Sequence, residues 1–409
     1  MYDAFSHPPD PDVGTEPRRN IYRDVGKPVH GKALVATPFL GLIKRPEGEV
    51  LTNEMLITYT QWGDKGPLVL FLHGVPTNRR QWRPVQERIA PFCRTIAIDM
   101  LGMGESDKPL KYGQGENADV KAFEMFGVEG IGFNPWDWIF DIDYIDQMMM
   151  ELYPGEKFIF VADDWGGGIN SHYAAFYGSA RLRAHIQVDP IAFDGYPVSE
   201  IQAIGRASAI EDEETFQMLM GAIDQTMVQI FKTMVHKPDN VYNQYSLRTI
   251  KFPYIDVDYE RPGANSMTLK LHWDAIRVLT DRSAILSPDL LLPYDELKNR
   301  KGVKYDKIDV PTAILWGEKD NMMPPNQRFR YIYALQNAPV TPIRIGEAGH
   351  FASTDQPDWV AEAILTYIIS LSELNEMGDV FLGFDGIWKG DEAMMANDLR
   401  HLLAIYKNI

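Results

Sequence analysis

The chain has 409 residues, of which 45% are hydrophobic and 24% are charged, and its formal net charge at pH 7 is −17. This composition is ordinary for a soluble globular protein, and the length allows one large domain or two ordinary domains with a full core. The acidic balance argues against nucleic acid or an anionic membrane as a partner, because either would repel the surface.

The single cysteine, Cys93, excludes an internal disulfide framework. The histidines are scattered without the regular spacing of a metal site, so neither a metal nor another cofactor is expected. The N-terminus lacks the basic region and apolar run of a signal peptide, and no stretch of about 18 apolar residues predicts a membrane span. The expected location is the cytoplasm.

The first elements along the chain alternate between strand and helix. Strands over residues 35–44 and 55–62 are predicted as antiparallel neighbours, with a Pro-Glu-Gly turn between them. Residues 68–73 (Leu-Val-Leu-Phe-Leu-His) form an apolar run typical of a strand buried on both faces of a parallel sheet. A helix over 80–90 and a strand over 94–99 follow. This alternation predicts an α/β fold with a mostly parallel, doubly wound sheet.

Residues 101–109 (Leu-Gly-Met-Gly-Glu-Ser-Asp-Lys-Pro) carry two glycines after this strand. The third glycine of a dinucleotide fingerprint is missing, and no Gly-Lys-Ser follows, so a turn is favoured over nucleotide binding. Residues 110–135 are aperiodic and predict a long loop, and residues 135–153 predict a helix.

Residues 157–168 (Lys-Phe-Ile-Phe-Val-Ala-Asp-Asp-Trp-Gly-Gly-Gly) contain the strongest functional signal. A buried strand leads to two carboxylates and a tryptophan and breaks at three glycines, after which a helix is predicted over 169–178. This pattern is typical of a nucleophile elbow, which by position would present Asp164 above the sheet edge. Two alternatives are that the glycines cradle a phosphate or that the aspartates cap the helix.

After a strand over 184–189 the alternation stops, and helical segments, one of them over 213–235, dominate until it returns near residue 310. Strands are then predicted over 312–316 and 342–345, and helices over 327–336 and 357–374. The expected domains are an N-terminal arm (1–30), an α/β core (31–190 and 306–374), a helical lid (191–305) and a C-terminal appendage (375–409), to which no role is assigned.

Several turns therefore fall at the carboxyl ends of strands, where open α/β sheets place their ligand crevice. They are His73-Gly-Val-Pro-Thr77, whose amides would point at an oxyanion, the Asp164 elbow, Gly317-Glu-Lys-Asp320 and Gly349-His350. The order nucleophile, acid and histidine along the chain is that of an α/β-hydrolase.

The sequence resembles the α/β-hydrolase superfamily, and within it the Asp-nucleophile branch that holds haloalkane dehalogenases and epoxide hydrolases. The resemblance covers roughly residues 50–372; it is strong in the sheet and weak in the lid. The motifs that carry it are His73-Gly-Val-Pro-Thr77, Gly102-Met-Gly-Glu-Ser-Asp-Lys-Pro109, Asp163-Asp-Trp-Gly-Gly167, Trp316-Gly-Glu-Lys-Asp320 and Gly349-His-Phe351.

The resemblance implies a role for each matching residue. Asp164 would attack carbon, His350 would activate water as general base, and Asp320 would orient the imidazole. An aspartate suits attack on an sp3 carbon because it leaves an ester, which water cleaves, whereas serine would leave an ether. The backbone amides of Val75 and Trp165 would form the oxyanion hole.

Competing interpretations accompany these roles. Asp189, which ends its own strand, is the alternative acid, and Asp320 would then be a turn residue. His350 has a structural alternative, and His73 is interpreted as a structural residue that orients the oxyanion loop. Asp163 is interpreted as a helix cap pointing away from the nucleophile; relatives usually carry His or Gln at this position.

The leaving group separates two enzymatic hypotheses. The indole N–H of Trp165 suits a leaving halide, but epoxide hydrolases often carry this tryptophan too. Some dehalogenases use an asparagine after His-Gly as the second halide donor, but this chain has Val75 there. The resemblance to a subgroup that uses a lid tryptophan implies Trp273, the only tryptophan of the predicted lid, as that donor. Epoxide opening would need lid tyrosines, and the candidates are Tyr196, Tyr242, Tyr245, Tyr254, Tyr259 and Tyr294.

The sequence favours a dehalogenase-like hydrolase, with an epoxide hydrolase as the alternative. His272 and Trp273 stand where relatives tend to carry a lid tyrosine, and Thr77 matches the dehalogenase pattern. A non-catalytic binding protein on a hydrolase fold is a third hypothesis. The methionine-bearing lid favours a small, uncharged, hydrophobic substrate.

Overall fold

The computed structural model describes residues 26–36, 54–75, 77–101, 103–106, 138–192, 231–238, 305–323 and 327–371. Its centre is an eight-stranded sheet in the order β1-β2-β4-β3-β5-β6-β7-β8. Strand β2 pairs antiparallel with both β1 and β4, and every other pairing in this sheet is parallel. The strands are β1 (Val29–Ala36), β2 (Glu54–Trp62), β3 (Leu68–Leu72), β4 (Arg94–Ile98), β5 (Phe158–Asp163), β6 (Leu182–Pro190), β7 (Thr312–Gly317) and β8 (Val340–Ile345).

Helices cover both faces of the sheet, which makes the central strands apolar on both sides. All residues of β3, β5 and β7 are buried. The helices are α1 (Arg83–Ile89), α2 (Trp138–Leu152), α3 (Asp164–Arg181), α4 (Gln327–Ala334), α5 (Ala352–Asp355) and α6 (Pro357–Leu371), with 3-10 turns at Arg79–Trp82 and Tyr305–Lys307. The predicted α/β class with a mostly parallel, doubly wound sheet is confirmed.

Each face has its own hydrophobic core. On one face, α1 and α6 pack together, with Val85 and Ile89 of α1 in the same cluster as Val360 and Ile364 of α6. The spacing of four residues on each helix places these side chains on one stripe. On the other face, α2 and α3 form a second cluster, which includes Tyr173.

The first strand lies earlier in the chain than predicted. It spans Val29–Ala36 instead of residues 35–44, so the predicted arm ends at the sheet and does not include all of residues 1–30. Ala33 and Val35 alternate toward the core and pair with β2, whereas the predicted range contains Pro38, which cannot donate to a ladder. Most of that range, from residue 37 on, lies outside the described residues.

Helix α3 begins at Asp164, five residues before the predicted start at 169, because the three glycines are helical and do not break the chain. A Cβ on Gly166 would stand 2.6 Å from the carbonyl oxygen of His73. The glycines therefore allow the helix to pack closely against the sheet edge. The prediction that they break the chain before the helix is wrong.

The other predicted elements of the core agree with the structure to within a few residues at their ends. The predicted loop 110–135, the lid apart from 191–192, 231–238 and residue 305, and the appendage 375–409 lie outside the described residues. The division into domains therefore stays a prediction. Within the described ranges, no helix is both long and apolar enough to cross a membrane.

Candidate active site

Asp164 stands at a sharp turn between β5 and α3. Asp163 is extended (φ −124°, ψ 162°), and Asp164 then takes φ 46°, a left-handed conformation that is uncommon for a residue other than glycine. The backbone amide of Ile191 donates to the Asp164 carbonyl at 3.0 Å, which ties the turn to the end of β6. The turn holds the Asp164 side chain at the carboxyl edge of the sheet, in the geometry of a nucleophile elbow.

The loop after β3 closes over this carboxylate. The backbone N–H of Val75 donates to Oδ1 of Asp164 at 2.8 Å. A Cβ on Gly74 would stand 2.5 Å from the Asp164 Cβ, so only glycine permits this approach. The Gly74 carbonyl accepts a hydrogen bond from the Thr77 amide at 3.1 Å, and the Thr77 hydroxyl oxygen lies 2.8 Å from the same carbonyl oxygen. The Val75 amide is therefore aimed at the carboxylate before any substrate arrives.

His73 anchors the same loop from below. Its Nδ1 lies 2.8 Å from the Gly74 carbonyl oxygen, and its Nε2 accepts from the Met100 amide at 3.1 Å. An imidazole that donates at one nitrogen and accepts at the other is neutral. Burial lowers the pKa of His73, which agrees with the neutral form. These contacts support the interpretation of His73 as an orienting residue.

One imidazole connects two of the predicted carboxylates. Nε2 of His350 lies 2.9 Å from Oδ2 of Asp164, and its Nδ1 lies 3.1 Å from Oδ2 of Asp320. The Asp164 and His350 side chains are fully buried, and that of Asp320 is 1% exposed. Oδ1 of Asp320 accepts from the amides of Met322 and Met323, so this residue is also the turn residue of the alternative interpretation.

The electrostatics of His350 favour the imidazolium. Burial alone would lower its pKa, but the charge of Asp320, the hydrogen bonds to Asp164 and Asp320, and the charge of Asp164 outweigh burial. The pKa of His350 is therefore held well above its ordinary value. A buried cation between two carboxylates is the arrangement in which that shift is expected.

Asp189, the alternative acid, occupies a different position. It also has a positive φ, 43°, and its Oδ1 accepts from the Gly317 amide at 2.7 Å. Nε2 of His350 bonds to Asp164 and Nδ1 bonds to Asp320, so the partner of Nδ1 is Asp320 and not Asp189. Burial, followed by the charge of Asp320, raises the pKa of Asp189 well above its ordinary value. The contacts place Asp189 beneath the turn that carries Asp320.

The interpretation of Asp163 as a helix cap is wrong. It occupies the cap position of α3, but its side chain makes no capping hydrogen bond. The Asp163 carboxylate accepts from the side-chain amide of Gln81, whereas the Asp164 carboxylate meets the Val75 amide and His350. Burial and, to a smaller extent, the charge of Asp164 raise the pKa of Asp163 well above its ordinary value.

Of the two tryptophans predicted to bind the leaving group, only Trp165 lies within the described residues. Trp165 directly follows Asp164 in the first turn of α3, and its side chain is 2% exposed. Trp273 lies outside the described residues, as do the candidate lid tyrosines. The described part of the chain contains no group of three or more His, Cys, Asp or Glu side chains placed to hold a metal ion.

Two features near the site were not foreseen. Nε2 of Gln81 donates a hydrogen bond to the Ser353 hydroxyl at 3.1 Å, close to the elbow. Nothing in the local sequence distinguishes these two residues from ordinary polar residues. Residues 231–238 also reach the histidine loop, where Phe351 donates to the Met234 carbonyl at 3.0 Å and Asp355 accepts from the His236 amide at 2.8 Å. Both contacts join residues that are far apart in the chain, so no local sequence pattern predicts them.

The strand order, the elbow and the loop that donates to its carboxylate define the class of an α/β-hydrolase. A family model described as alpha/beta hydrolase fold matches residues 67–237. The expected α/β-hydrolase fold is confirmed, and the match of the family model supports the superfamily resemblance that the motifs predict.

Named relatives divide between two activities. A haloalkane dehalogenase from Mesorhizobium japonicum is 32% identical over 144 residues, which cover 35% of this chain and 38% of the relative. Epoxide hydrolase 3 from Xenopus tropicalis is 25% identical over 320 residues, which cover 76% of this chain and 74% of the relative. The chain thus matches little more than a third of the dehalogenase and about three quarters of the epoxide hydrolase.

Solved structures show the likeness of fold. The haloalkane dehalogenase DbeA from Bradyrhizobium elkani aligns with a TM-score of 0.58 and 16% identity, covering 84% of this chain and 99% of that chain. A thermophilic esterase from Thermogutta terrifontis aligns with a TM-score of 0.56 and 18% identity, covering 83% and 99%. The fold is therefore shared by hydrolases of different chemistry, and only the site distinguishes them.

Proposed function

We propose that this hydrolase cleaves a carbon–halogen bond, with Asp164 as nucleophile, His350 as general base and Asp320 as the acid that orients the imidazole. The observation that carries the proposal is the continuous chain Val75 N–H, Asp164 carboxylate, His350 imidazole, Asp320 carboxylate, whose three contacts measure 2.8, 2.9 and 3.1 Å. A carboxylate at the elbow suits displacement at an sp3 carbon, because it yields a hydrolysable ester.

In the first step, an Asp164 oxygen attacks the carbon and the halide leaves with the bonding electrons. Oδ1 is held by the Val75 amide, where it can become the carbonyl oxygen of the ester, so we assign the attack to Oδ2, the oxygen on the side of His350. The product is an alkyl ester of Asp164 and a halide ion. The indole N–H of Trp165 is the proposed donor to the halide, with Trp273 as the proposed second donor.

In the second step, His350 takes a proton from water, and the hydroxide attacks the Asp164 carbonyl carbon. The negative charge that develops on Oδ1 is stabilised by the Val75 amide, with the Trp165 amide as the proposed second donor; such donors contribute about 3–4 kcal/mol each in comparable enzymes. Collapse breaks the ester bond, the alkoxide takes the proton from His350, and Asp164, left as a carboxylic acid, loses its proton to restore the carboxylate. The net reaction converts the alkyl halide and water to alcohol, halide and a proton.

The charges of the site favour this order of events. In the free protein the Asp164 charge and its hydrogen bond help to raise the pKa of His350. Formation of the ester removes that charge, so the pKa of His350 falls just when a neutral base is needed. Asp320 remains to stabilise the imidazolium that forms as water is deprotonated.

The apolar surroundings support a small, uncharged, hydrophobic substrate. Met322 and Met323, which follow Asp320, are each 3% exposed, and Phe351, which follows His350, is 1% exposed. Methionine adapts to irregular apolar shapes, and a charged group placed against these three side chains would lose its hydration without compensation from them.

An epoxide hydrolase is the second candidate. It is favoured by one observation: the match to epoxide hydrolase 3 covers 76% of this chain, against 35% for the match to the Mesorhizobium dehalogenase. The same nucleophile would open the ring, and the ring oxygen would need donors from the lid. A binding protein on a hydrolase fold is disfavoured, because every position of the proposed triad is filled.

The test compares a terminal bromide and a terminal epoxide of the same six-carbon chain. Release of bromide with formation of the alcohol supports the dehalogenase, whereas diol formation from the epoxide without bromide release moves the function to the second candidate. No product from either substrate, with no adduct on Asp164 by mass spectrometry, would overturn both enzymatic proposals.

A further inference from the structure

A single buried amide joins the segments that carry the proposed catalytic groups. Gln81, in the 3-10 turn Arg79–Trp82, is 6% exposed. Its Oε1 accepts from the Thr77 hydroxyl, and its Nε2 donates to Oδ2 of Asp163 and, at 3.1 Å, to the Ser353 hydroxyl. Its two N–H groups and its carbonyl therefore all have partners.

Each partner belongs to a different catalytic segment. The backbone amide of Thr77 also donates to the Gly74 carbonyl at 3.1 Å, next to the Val75 amide. Asp163 is the residue before the proposed nucleophile, and Ser353 lies in α5, three residues after His350. Gln81 is 82 residues from Asp163 and 272 residues from Ser353 in the chain.

The hydrogen bonds of Gln81 to Thr77, Asp163 and Ser353 lie in a buried environment, which makes them rigid. Thr77 is 1% exposed, and Asp163 and Ser353 are fully buried. In such surroundings a hydrogen bond is strong and directional, and losing one partner leaves the others unsatisfied. Within the described residues, Oδ1 of Asp163 has no hydrogen-bond partner, so the amide of Gln81 is the side chain that holds this carboxyl.

We propose that Gln81 is a positioning residue that sets the Val75 amide, the Asp164 carboxylate and the His350 imidazole relative to one another. Its amide acts through Thr77, Asp163 and Ser353 and does not touch the reacting atoms. The inference rests on the proposed function, in which these groups must meet in one geometry. A displacement of about 1 Å is enough to slow an oriented reaction about 100-fold.

The chain offers a matched control in Gln86. This glutamine is 1% exposed and lies in α1 close to Gln81, but its Nε2 donates to the Thr60 carbonyl and the Thr95 hydroxyl, each at 3.2 Å. Those partners belong to β2 and β4 and not to a catalytic segment. Gln81→Leu and Gln86→Leu therefore remove comparable buried amides, only one of which joins the site.

The experiment measures kcat, KM and Tm for both variants with the substrate that the wild type turns over. Both variants are expected to lose thermal stability, whereas kcat is expected to fall roughly 10- to 100-fold in Gln81→Leu and less than about threefold in Gln86→Leu. Equal kcat losses in the two variants would show that Gln81 has only a structural role.

A second readout does not depend on turnover. The imidazole resonances of His350 report its distance from Asp164 and Asp320, and we expect them to shift in Gln81→Leu but not in Gln86→Leu. If the wild type has no hydrolase activity, the proposed function fails, and these resonances decide the inference: unchanged signals in Gln81→Leu would overturn it.

If Gln81→Leu does not fold, Ser353→Ala replaces it. This change removes one hydroxyl and releases only the arm to α5, so ester hydrolysis, which uses His350, is expected to slow roughly three- to tenfold while alkylation of Asp164 changes less. Unchanged hydrolysis in Ser353→Ala, with unchanged His350 resonances, would overturn the inference.

Discussion

Two clusters of buried charged side chains lie beyond the carboxyl ends of the strands, and they differ in charge balance. In the first, the Arg79 guanidinium contacts the carboxylates of Asp99 and Glu105, and Arg80 pairs with Glu105 at 3.2 Å, so two cations face two carboxylates. Asp99 also accepts from the amides of Arg79 and Glu105, at 2.7 and 2.8 Å. Burial alone would raise the pKa of Asp99, but the charge of Arg79 outweighs burial and lowers it.

The second cluster contains the proposed catalytic groups. Here the carboxyl groups of Asp164 and Asp320 contact the imidazole of His350, and those of Asp163 and Asp189 lie close enough to interact with its charge. The pKa values of Asp163 and Asp189 are raised, because burial and a neighbouring carboxylate both disfavour their charged forms. One cation does not compensate all of these acids.

The difference separates a stabilising cluster from a reactive one. In the Arg79 cluster the fixed charge of a guanidinium holds a loop in place, and no proton needs to move. In the His350 cluster the charges change when Asp164 is alkylated, and unbalanced groups of this kind are typical of functional sites. Four substitutions test this contrast, in order of decreasing expected effect.

Asp164→Ala removes the proposed nucleophile. We expect the rate of product formation to fall at least about 1,000-fold, because the covalent route is lost while the fold remains. Tm is the control for folding, because the Val75 amide and His350 each lose a buried partner and some loss of stability is expected. Activity within tenfold of wild type would contradict the assignment of the nucleophile.

His350→Ala separates the two chemical steps. Without the base, the ester on Asp164 is expected to accumulate, visible as a mass increase equal to the alkyl group of the substrate. In the wild type, hydrolysis needs neutral His350, so its rate is expected to rise with pH and the adduct to build up as the pH falls. Absence of any adduct at low pH and in the variant would contradict the two-step route.

Arg79→Met breaks the balanced cluster. Asp99 would remain buried without its cation, and breaking a buried pair in this way costs about 3–5 kcal/mol of unfolding free energy. The control is Arg94→Met, which breaks the exposed pair with Glu156 and is expected to cost about 1 kcal/mol or less. Denaturant unfolding measures both; equal losses would show that burial does not distinguish the pairs.

Asp163→Asn removes one ionisable carboxyl group from the cluster around His350, in which the acids outnumber the cation. The folded-state pKa of Asp163 is raised, so its charged form opposes folding above the unfolded pKa of about 3.9 and the cost vanishes below it. The variant is therefore expected to be more stable by about 1 kcal/mol near neutral pH, and the gain should fade as the pH falls toward about 4.

The control for this change is Asp306→Asn, in which the carboxylate is 54% exposed. We expect no comparable gain from it, because water already solvates the charge. Thermal unfolding of both variants and the wild type across pH is the measurement. A gain for Asp163→Asn that does not change with pH would show that the raised pKa is not its cause.

Local patterns in the sequence were sufficient for most of the fold. The apolar runs of β3 and β5 predict buried parallel strands, since every residue there lies between two layers of helix. The elbow at Asp164 is also recognisable, because a strand, a carboxylate and small residues must follow one another within a few positions. These features depend on neighbours in the chain.

Other features depend on residues far apart, and only the tertiary structure decided them. The glycines after Trp165 belong to a helix because β3 and β6 crowd against it, and Asp163 does not cap that helix because its side chain points to Gln81. The contact of His350 with Asp320, instead of Asp189, is likewise a matter of packing. The catalytic roles themselves stay predictions.

The sequence by itself thus determined the class of fold, the elbow and the residues able to take part in its chemistry, since these follow from periodicity and short motifs. The tertiary structure decided which carboxylate meets the imidazole and which amide joins the loops. The physical reason is that hydrogen bonds in a buried site are set by the packing of distant segments, such as Gln81 and Ser353, which lie 272 residues apart.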